Sequence, residues 1–385
     1  MEERAGKYDY SDASSERFVS DVQRDLSSVC NRDEGYPNGI SSCSDAANMS
    51  DSTADCLVAM FDRQFGTEEA CADYLFQKKW PGGFHCPRCR YDQAYTIESR
   101  RLPLYECRAC RHQTSLTAGT ILEGSRTSLR KWLFAIWLVS RHCGVNAVQL
   151  CSYIGVTYKT AWSMLHKIRQ AISHGDANQP LTGIVRAGQN FYGRPYNSTI
   201  FRHPQEHHLL VGVSLDPQGE PLYVKMKQIS LEHLDEMRLR KSGLKAFAEQ
   251  HVDPETYDVV IERGRMHFNR LPHLRKLFNQ ATTWINKTFR GIGPAYLQYY
   301  LDEFCFRRNM QFRNAPIMNS LLDLCMTTRP MTCSVASRQY LRTTGTSTTH
   351  LRTNTLSRYQ RNKLYLQNLI HKSRQIRKVL AETLA

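Results

Sequence analysis

Cys86-Pro-Arg-Cys89 and Cys107-Arg-Ala-Cys110 stand 17 residues apart, and the chain then runs directly into helical patterns that end near Ser173. Two CxxC pairs at this spacing can present four thiolates to one zinc ion in a tetrahedron. Strand-like runs at 93–99 and 101–107 place the pairs on hairpins, so we predict a zinc ribbon over residues 86–115. A unit this small has almost no core, and structural Zn²⁺ is expected to supply most of its folding free energy.

The cysteine count fits this assignment in a reducing compartment. We expect an intracellular protein of the cytoplasm or nucleoid with no membrane partner, because the sequence shows no signal peptide and no apolar run of about 20 residues. Most of the 13 cysteines should then be reduced, and the nine outside the two pairs show no ligand spacing. A disulfide pair or a redox CxxC motif stays open as the alternative.

Charge is distributed unevenly along the 385 residues. Residues 1–55 carry 12 acidic and 5 basic side chains and few large apolar ones, which predicts a disordered acidic leader. Residues 56–385 carry 24 acidic and 46 basic side chains, a net charge of +22. A body this basic suits a polyanion, of which nucleic acid is the usual one. The alternative interpretation of the same charge is a soluble basic protein that has no nucleic-acid partner.

Three helical patterns follow the ribbon and predict a helix-turn-helix over residues 120–175. Thr127-Ser128 precedes the first helix, Gly155 lies in a tight turn, and Thr157 is placed to cap the last helix. The second helix of such a motif enters the major groove of double-stranded DNA by its N-terminal residues. We predict DNA contacts from the outer face of this helix, which also carries His166 and Gln170, at Tyr158, Lys159, Thr160, Ser163, Lys167 and Arg169. A three-helix bundle with a solvated basic face is the alternative.

The flanking regions complete a multidomain α+β fold. Apolar spacing predicts two short helices over residues 56–85, as a lead-in to the ribbon. Beyond residue 180, strands are expected at 183–192, 207–215, 222–228 and 257–261, with helices at 231–252, 294–309 and 315–327. Three antiparallel strands, a helix, a further strand and closing helices fit an RNase H-like α/β core over residues 180–328. Residues 329–385 form a basic tail with 11 basic residues and one acidic residue.

Several of these motifs together resemble a bacterial insertion-sequence transposase family that has an N-terminal zinc ribbon and a DDE-type integrase core. The resemblance spans roughly residues 56–330. Its motifs are Cys86-Pro-Arg-Cys89, Tyr105-Glu-Cys107-Arg-Ala-Cys110-Arg-His-Gln, Gly119-Thr-Ile, Leu129-Arg-Lys-Trp132, Thr160-Ala-Trp162, His166-Lys-Ile-Arg169, Tyr300-Leu-Asp-Glu-Phe304, Phe306-Arg-Arg-Asn309 and Leu321-Leu322.

The resemblance implies DNA strand transfer by two divalent metal ions held between carboxylates. This chain departs from the family at those positions: Gly188 stands at the first aspartate, with Gln189 at its acidic neighbour, and Glu262 or Arg263 stands at the second. Gln280 and Thr282 occupy the places of a third polar ligand and a lysine. Because Mg²⁺ requires hard oxygen ligands, no catalytic residue can be assigned and Mg²⁺ is expected only if the core is active.

We therefore expect a transposase-like DNA-binding protein without strand-transfer activity. An active DDE-type transposase with two divalent metals is one alternative, so the sequence does not decide whether the protein is an enzyme. A zinc-ribbon module that binds protein is another. Each of these functions is compatible with a homo-oligomer.

Overall fold

The computed structural model describes residues 51–99, 101–141, 143–193, 206–234, 239–263 and 271–329, with side chains from residue 57 onward. The predicted leader and tail lie outside the described residues except at their inner ends. Residues 51–55, assigned to the disordered leader, belong instead to the first helix, α1 (Asp51–Phe65). None of the helices in the described ranges combines the length and apolar character needed to cross a lipid bilayer.

The lead-in consists of α1 and α2 (Glu68–Lys79), as predicted. Thr67 caps α2, because its hydroxyl accepts a hydrogen bond from the Ala70 amide at 3.1 Å. At the other end of α2, the Lys79 ammonium donates to the carbonyls of Ser115, Leu116 and Ala118 at 2.7–3.0 Å. This contact joins α2 to the segment that leaves the ribbon.

The ribbon is a three-stranded antiparallel sheet in the order β1 (Ala94–Ile97), β2 (Leu104–Cys107), β3 (Gln113–Ser115). The first two strands were predicted. The third was not, since three residues are too few to display an alternating pattern. An aromatic cluster packs under the sheet, with ring centroids 5.1–5.9 Å apart, and consists of Phe76, Trp80, Phe84 and Tyr105.

Three helices follow: α3 (Leu129–Ser140), α4 (Ala147–Ile154) and α5 (Tyr158–Ala177). Ser128 and Thr157 cap α3 and α5, as the sequence indicates. Asn146 forms a reciprocal capping box with Gln149, and Gly155 ends α4 in the left-handed conformation at φ 58°. The carboxylate of Glu68 on α2 accepts the first amides of α3 at 2.8 and 3.1 Å.

A four-stranded mixed sheet forms the second half of the described chain. Its strands are β4 (Ile184–Tyr192), β5 (His207–Leu215), β6 (Pro221–Gln228) and β7 (Asp258–Glu262), in the order β6-β5-β4-β7. β4 to β6 pair antiparallel, and β7 runs parallel to β4. A turn at Asp216–Gly219 closes the β5–β6 hairpin.

Helices cover both faces of this sheet. α6 (Lys241–His251) packs on one face, while α7 (Pro272–Phe289) and α8 (Pro294–Phe312) pack on the other. The predicted helix at 231–252 is wrong over its first half, where a 3-10 turn at Leu231–His233 precedes a bridge between Leu234 and Leu239. α7 was missed, although its buried positions follow a helical period: Leu274, Leu277, Phe278, Ala281 and Ile285.

The last described helix, α9 (Ile317–Thr327), departs from the predicted domain division. Assigned to the 180–328 core, it packs instead within the N-terminal hydrophobic cluster, in contact with α3 and α5. The Ile121 amide donates to the Cys325 carbonyl at 3.0 Å. The N-terminal helices thus require a segment from the far end of the described chain.

Buried charge joins α5 to the sheet half. Arg169, 2% exposed, donates through Nε to Oε2 of the fully buried Glu303 on α8 at 2.6 Å. Further along α5, Asp176 accepts from Lys225 at 3.0 Å and from Lys227 at 2.7 Å, both on β6. Lys227 also donates to Asp302 on α8 at 2.7 Å. Asp302 and Glu303 are thus buried ion-pair partners that join α8 to α5 and β6.

His166, expected on the outer face of α5, is also buried. Its ring stacks on Trp162 at 4.9 Å between centroids and meets the edges of Tyr296 and Tyr299. Burial, with a smaller contribution from the Arg169 charge, lowers the pKa of His166 to about 4. Between pH 6.5 and 4 the unfolded chain therefore binds a proton here that the folded chain does not, and stability falls as the pH falls.

We predict that acidification from pH 7.5 to pH 5 costs the wild type about 2 kcal/mol more unfolding free energy than it costs a His166→Gln variant. Urea unfolding at both pH values, with zinc content checked in each sample, measures the difference. His174→Gln, on the exposed side of the same helix, is the control and should behave as wild type. Equal losses in wild type and His166→Gln would contradict the assignment.

Candidate functional site

The four cysteines of the ribbon converge on one point. Their sulfur atoms all lie within 4.8 Å of one another, with Cys86 to Cys110 at 3.6 Å and Cys89 to Cys107 at 3.5 Å. Tetrahedral zinc with bonds of about 2.3 Å needs sulfurs about 3.8 Å apart. The donor set therefore fits a structural zinc ion. No second group of His, Cys, Asp or Glu in the described ranges is arranged to hold a metal ion.

The two knuckles have the same backbone geometry. The Arg90 amide donates to the Cys86 carbonyl at 2.9 Å, and the Arg111 amide donates to the Cys107 carbonyl at 3.0 Å. Both arginines adopt the left-handed conformation, at φ 63° and 56°. L side chains carry a steric cost there that glycine does not, so each knuckle holds a strained residue directly after its second cysteine.

Electrostatics also favour a cation among the sulfurs. Burial raises the pKa of the Cys86 thiol, but the amides of Cys89 and Arg88 and the neighbouring thiols lower it to about 6. The Tyr91 amide lowers the pKa of Cys89, yet the surrounding thiols raise it to about 12. Without a cation, the first thiolate thus suppresses ionisation of its neighbours. A divalent ion removes that repulsion and holds all four sulfurs ionised.

The structure divides the predicted DNA-contact residues of α5 into two groups. Tyr158, 58% exposed, and Lys159 lie open on the first turn, while Thr160 and Ser163 are half-buried beside them. Lys167 is half-buried, with its ammonium 5.8 Å from the centre of the Trp132 ring.

The prediction of an exposed Arg169 is wrong, and the same holds for His166 and Gln170. The Arg169 guanidinium is held by Glu303 and lies 4.1 Å from the Tyr300 ring centroid. A basic residue on a presumed outer face is naturally taken as exposed, and its acidic partner lies 134 residues away. The sequence offers no local signal for such a pairing.

Two of the positions at which the sequence predicts a lost catalytic carboxylate are neighbours in the sheet. Gly188 on β4 and Glu262 on β7 are direct neighbours in the parallel register. Arg263 follows β7 and is exposed, and Gln280 is half-buried on α7. At the other end of β7, Asp258 is held by Arg186 through two bonds of 2.7 and 3.1 Å.

An open cleft of about 690 Å³ lies beside the start of α5. Sequence reasoning missed it, because its cationic residues come from separate segments that show no common spacing. Its lining residues are Arg101, Arg126, Thr127, Ser128, Lys131, Gly155, Val156, Thr157 and Thr160.

We predict that Cys110→Ser lowers the zinc content from about one ion per chain to well below that and unfolds the ribbon, because zinc supplies the folding free energy of this unit. Elemental analysis and circular dichroism test both effects. Cys143→Ser removes an exposed thiol outside the cluster and should retain the metal. Zinc absent from the wild type, or retained in full by Cys110→Ser, would contradict the four-cysteine site.

The steric cost of the positive φ in the first knuckle can be tested at Arg90. Arg90→Gly should raise the unfolding free energy of the zinc-loaded protein by about 0.5–1 kcal/mol, since glycine adopts a positive φ without steric cost. Arg88→Gly is the matched control, two residues away but not at positive φ, and should bring no gain. Thermal melts of the three proteins decide the matter, and a loss of stability in Arg90→Gly would refute it.

Comparison with known proteins agrees with the metal site. Residues 66–113 match the family model of the transposase zinc-ribbon domain of IS1595 type. Over 132 residues the chain is 32% identical to an uncharacterized protein in transposable element ISH50 of Halobacterium salinarum. That match covers 34% of this chain and 43% of the relative, so the chain spans less than half of the curated relative's length. No solved structure matches the chain. The chain therefore carries a transposase zinc-ribbon domain, which supports a transposase-like protein.

Proposed function

We propose that this chain is a transposase-derived protein that binds double-stranded DNA through its helix-turn-helix and has lost strand-transfer chemistry. One observation carries the proposal. Gly188 and Glu262, aligned with the first two aspartates of a DDE core, are neighbours across β4 and β7. Their proximity supports the alignment, because two carboxylates that share a metal pair must lie side by side. It also means that the first ligand position carries no side chain at all.

The sheet supports an RNase H-like assignment for the core. Three antiparallel strands are followed by a fourth that runs parallel to the first, and helices cover both faces. In open sheets with parallel strands, sites form at the carboxyl ends of those strands. Glu262 is the last residue of β7, so the degenerate positions lie where a site would be expected.

Three other carboxylates of the sheet half are committed to structural contacts. Asp302 accepts from Lys227 and Gln298 through Oδ1 and from Ser173 through Oδ2, at 2.7–2.8 Å. Glu303 is buried against Arg169, and Asp258 forms its two bonds with Arg186. Two divalent metal ions need several oxygen ligands, and Glu262 alone does not supply them.

The DNA-binding part of the proposal rests on the first turn of α5. Tyr158, Lys159, Thr160 and Ser163 extend from a helix that follows a short helix and a glycine turn. This arrangement suits entry of the N-terminal turn into a major groove, where lysine contacts phosphates and hydroxyls contact phosphates or base edges. Lys167 lies further along the same helix. Arg169 takes no part, because it is buried.

We predict that Lys159→Ala/Lys167→Ala weakens binding to a mixed-sequence duplex of about 30 base pairs and reduces the slope of log affinity against log salt by roughly one to two units, since each lysine is expected to neutralise one phosphate. Fluorescence anisotropy over a salt series measures both. Lys276→Ala, at an exposed position of α7, is the control. Binding unchanged in the double variant would place the DNA-binding surface elsewhere. Wild-type affinity independent of salt would favour a protein-interaction module.

A working transposase is the competing function, favoured by the carboxylate of Glu262 at the end of β7. Incubation with Mg²⁺ or Mn²⁺ and supercoiled plasmid carrying the ends of the host element, read as nicking or joining, separates the two. We expect no metal-dependent product. Cleavage that disappears in Glu262→Gln, with DNA binding intact, would overturn the loss of catalysis.

A further inference from the structure

The cleft beside α5 is built from four parts of the chain that meet in space. The β1–β2 connection of the ribbon contributes Arg101, and the segment between ribbon and α3 contributes Arg126. The first turn of α3 contributes Lys131, and the turn between α4 and α5 contributes Gly155 to Thr157. The ribbon and the helix-turn-helix therefore share one surface. Thr160, a predicted DNA contact, lines the same cleft.

The cleft is cationic, and its cations are not neutralised. Arg101 donates through Nη1 to the Arg126 carbonyl at 3.1 Å, and Lys131 donates through Nζ to the Gly155 carbonyl at 3.4 Å. Carbonyl contacts orient these side chains but leave their net charge in place. Within the described part of the chain, none of the three cations pairs with a carboxylate, and no acidic residue lines the cleft. Three unneutralised cations facing one space attract an anion with several acceptor oxygens.

Side chains, rather than helix N-termini, supply most of the positive electrostatic potential of the cleft. The amides at the start of α3 are already occupied, since Glu68 accepts from Leu129 and Arg130. At the start of α5, the hydroxyls of Thr157 and Thr160 lie 2.9 Å apart at the cleft wall. Guanidinium, ammonium and hydroxyl groups are the side-chain groups that usually contact DNA phosphates.

We propose that this cleft binds a backbone phosphodiester of the duplex whose groove receives the first turn of α5. The proposal rests on the DNA-binding function above and assigns the ribbon connection a direct part in it. A polymer suits the site better than a free anion does, because the cleft is wide and open and is continuous with Thr160. The ribbon thereby fixes the register of the helix-turn-helix along the duplex.

Arg126→Ala/Lys131→Ala tests the cleft against Lys241→Ala/Lys245→Ala, which removes the same charge from exposed positions of α6. With the mixed-sequence duplex of about 30 base pairs, the cleft variant should bind at least about tenfold more weakly at 0.1 M salt, and its salt slope should fall by about two units. The α6 variant should stay close to wild type. Equal behaviour of the two double variants, with zinc content and melting temperature unchanged, would overturn the proposal.

Ethylation interference locates the bound phosphate on the DNA. At least one phosphate should block binding of the wild type when ethylated and cease to do so in the cleft variant. Arg101→Ala, in an exposed loop, should give the same loss if the double variant folds poorly. Competition by inorganic phosphate beyond that of chloride at equal ionic strength would assign the cleft to a free anion and overturn the phosphodiester.

The two proposals fail in different ways. If the wild type does not bind duplex DNA, both fall. If it binds and Lys159→Ala/Lys167→Ala weakens it, while the cleft variant matches the α6 control, only the cleft assignment falls.

Discussion

Buried charged side chains on α5 strongly constrain how the two halves of the described structure pack. Arg169 and Asp176 lie on one helix and are satisfied only when α8 and β6 approach it, through Glu303, Lys225 and Lys227. Leaving one partner of such a pair unmatched in the interior costs about 3–5 kcal/mol. The position of α5 on the sheet is therefore strongly specified. Its first turn, free of these contacts, is presented outward in a fixed orientation.

The zinc ribbon is constrained in a different way. It has little core of its own, so its shape depends on the sulfur cluster and on the rings of Trp80, Phe84 and Tyr105 beneath it. Lys79 joins the end of α2 to the segment leaving the ribbon. The metal thus fixes the ribbon internally, and the lead-in helices fix the segment that connects it to α3. These two constraints bring the β1–β2 connection next to the turn before α5.

Local features of the fold could be predicted from sequence, and distant pairings could not. Ser128, Gly155 and Thr157 act within one turn of their own positions, and the cysteine ligands are identified by spacing alone. The burial of Arg169 depends on Glu303, far along the chain, and the packing of α9 depends on a hydrophobic cluster that its own residues do not reveal. The cleft could not be predicted for the same reason, because its cationic residues become neighbours only after folding. The prediction that catalytic carboxylates are missing needed no coordinates, because it rests on the residue types at those positions alone.

The packing of α9 against the N-terminal helices has a consequence for truncated forms of the chain. Leu321, Leu322, Cys325 and Met326 complete a cluster whose other buried members come from the region before residue 173. A fragment that ended after β7 would leave this cluster open. We therefore expect truncation before α9 to destabilise the N-terminal helices, whereas a substitution at Gly188, in the middle of β4, lies outside this cluster. Substitutions in the sheet can thus accumulate without opening the hydrophobic cluster that holds the N-terminal helices together.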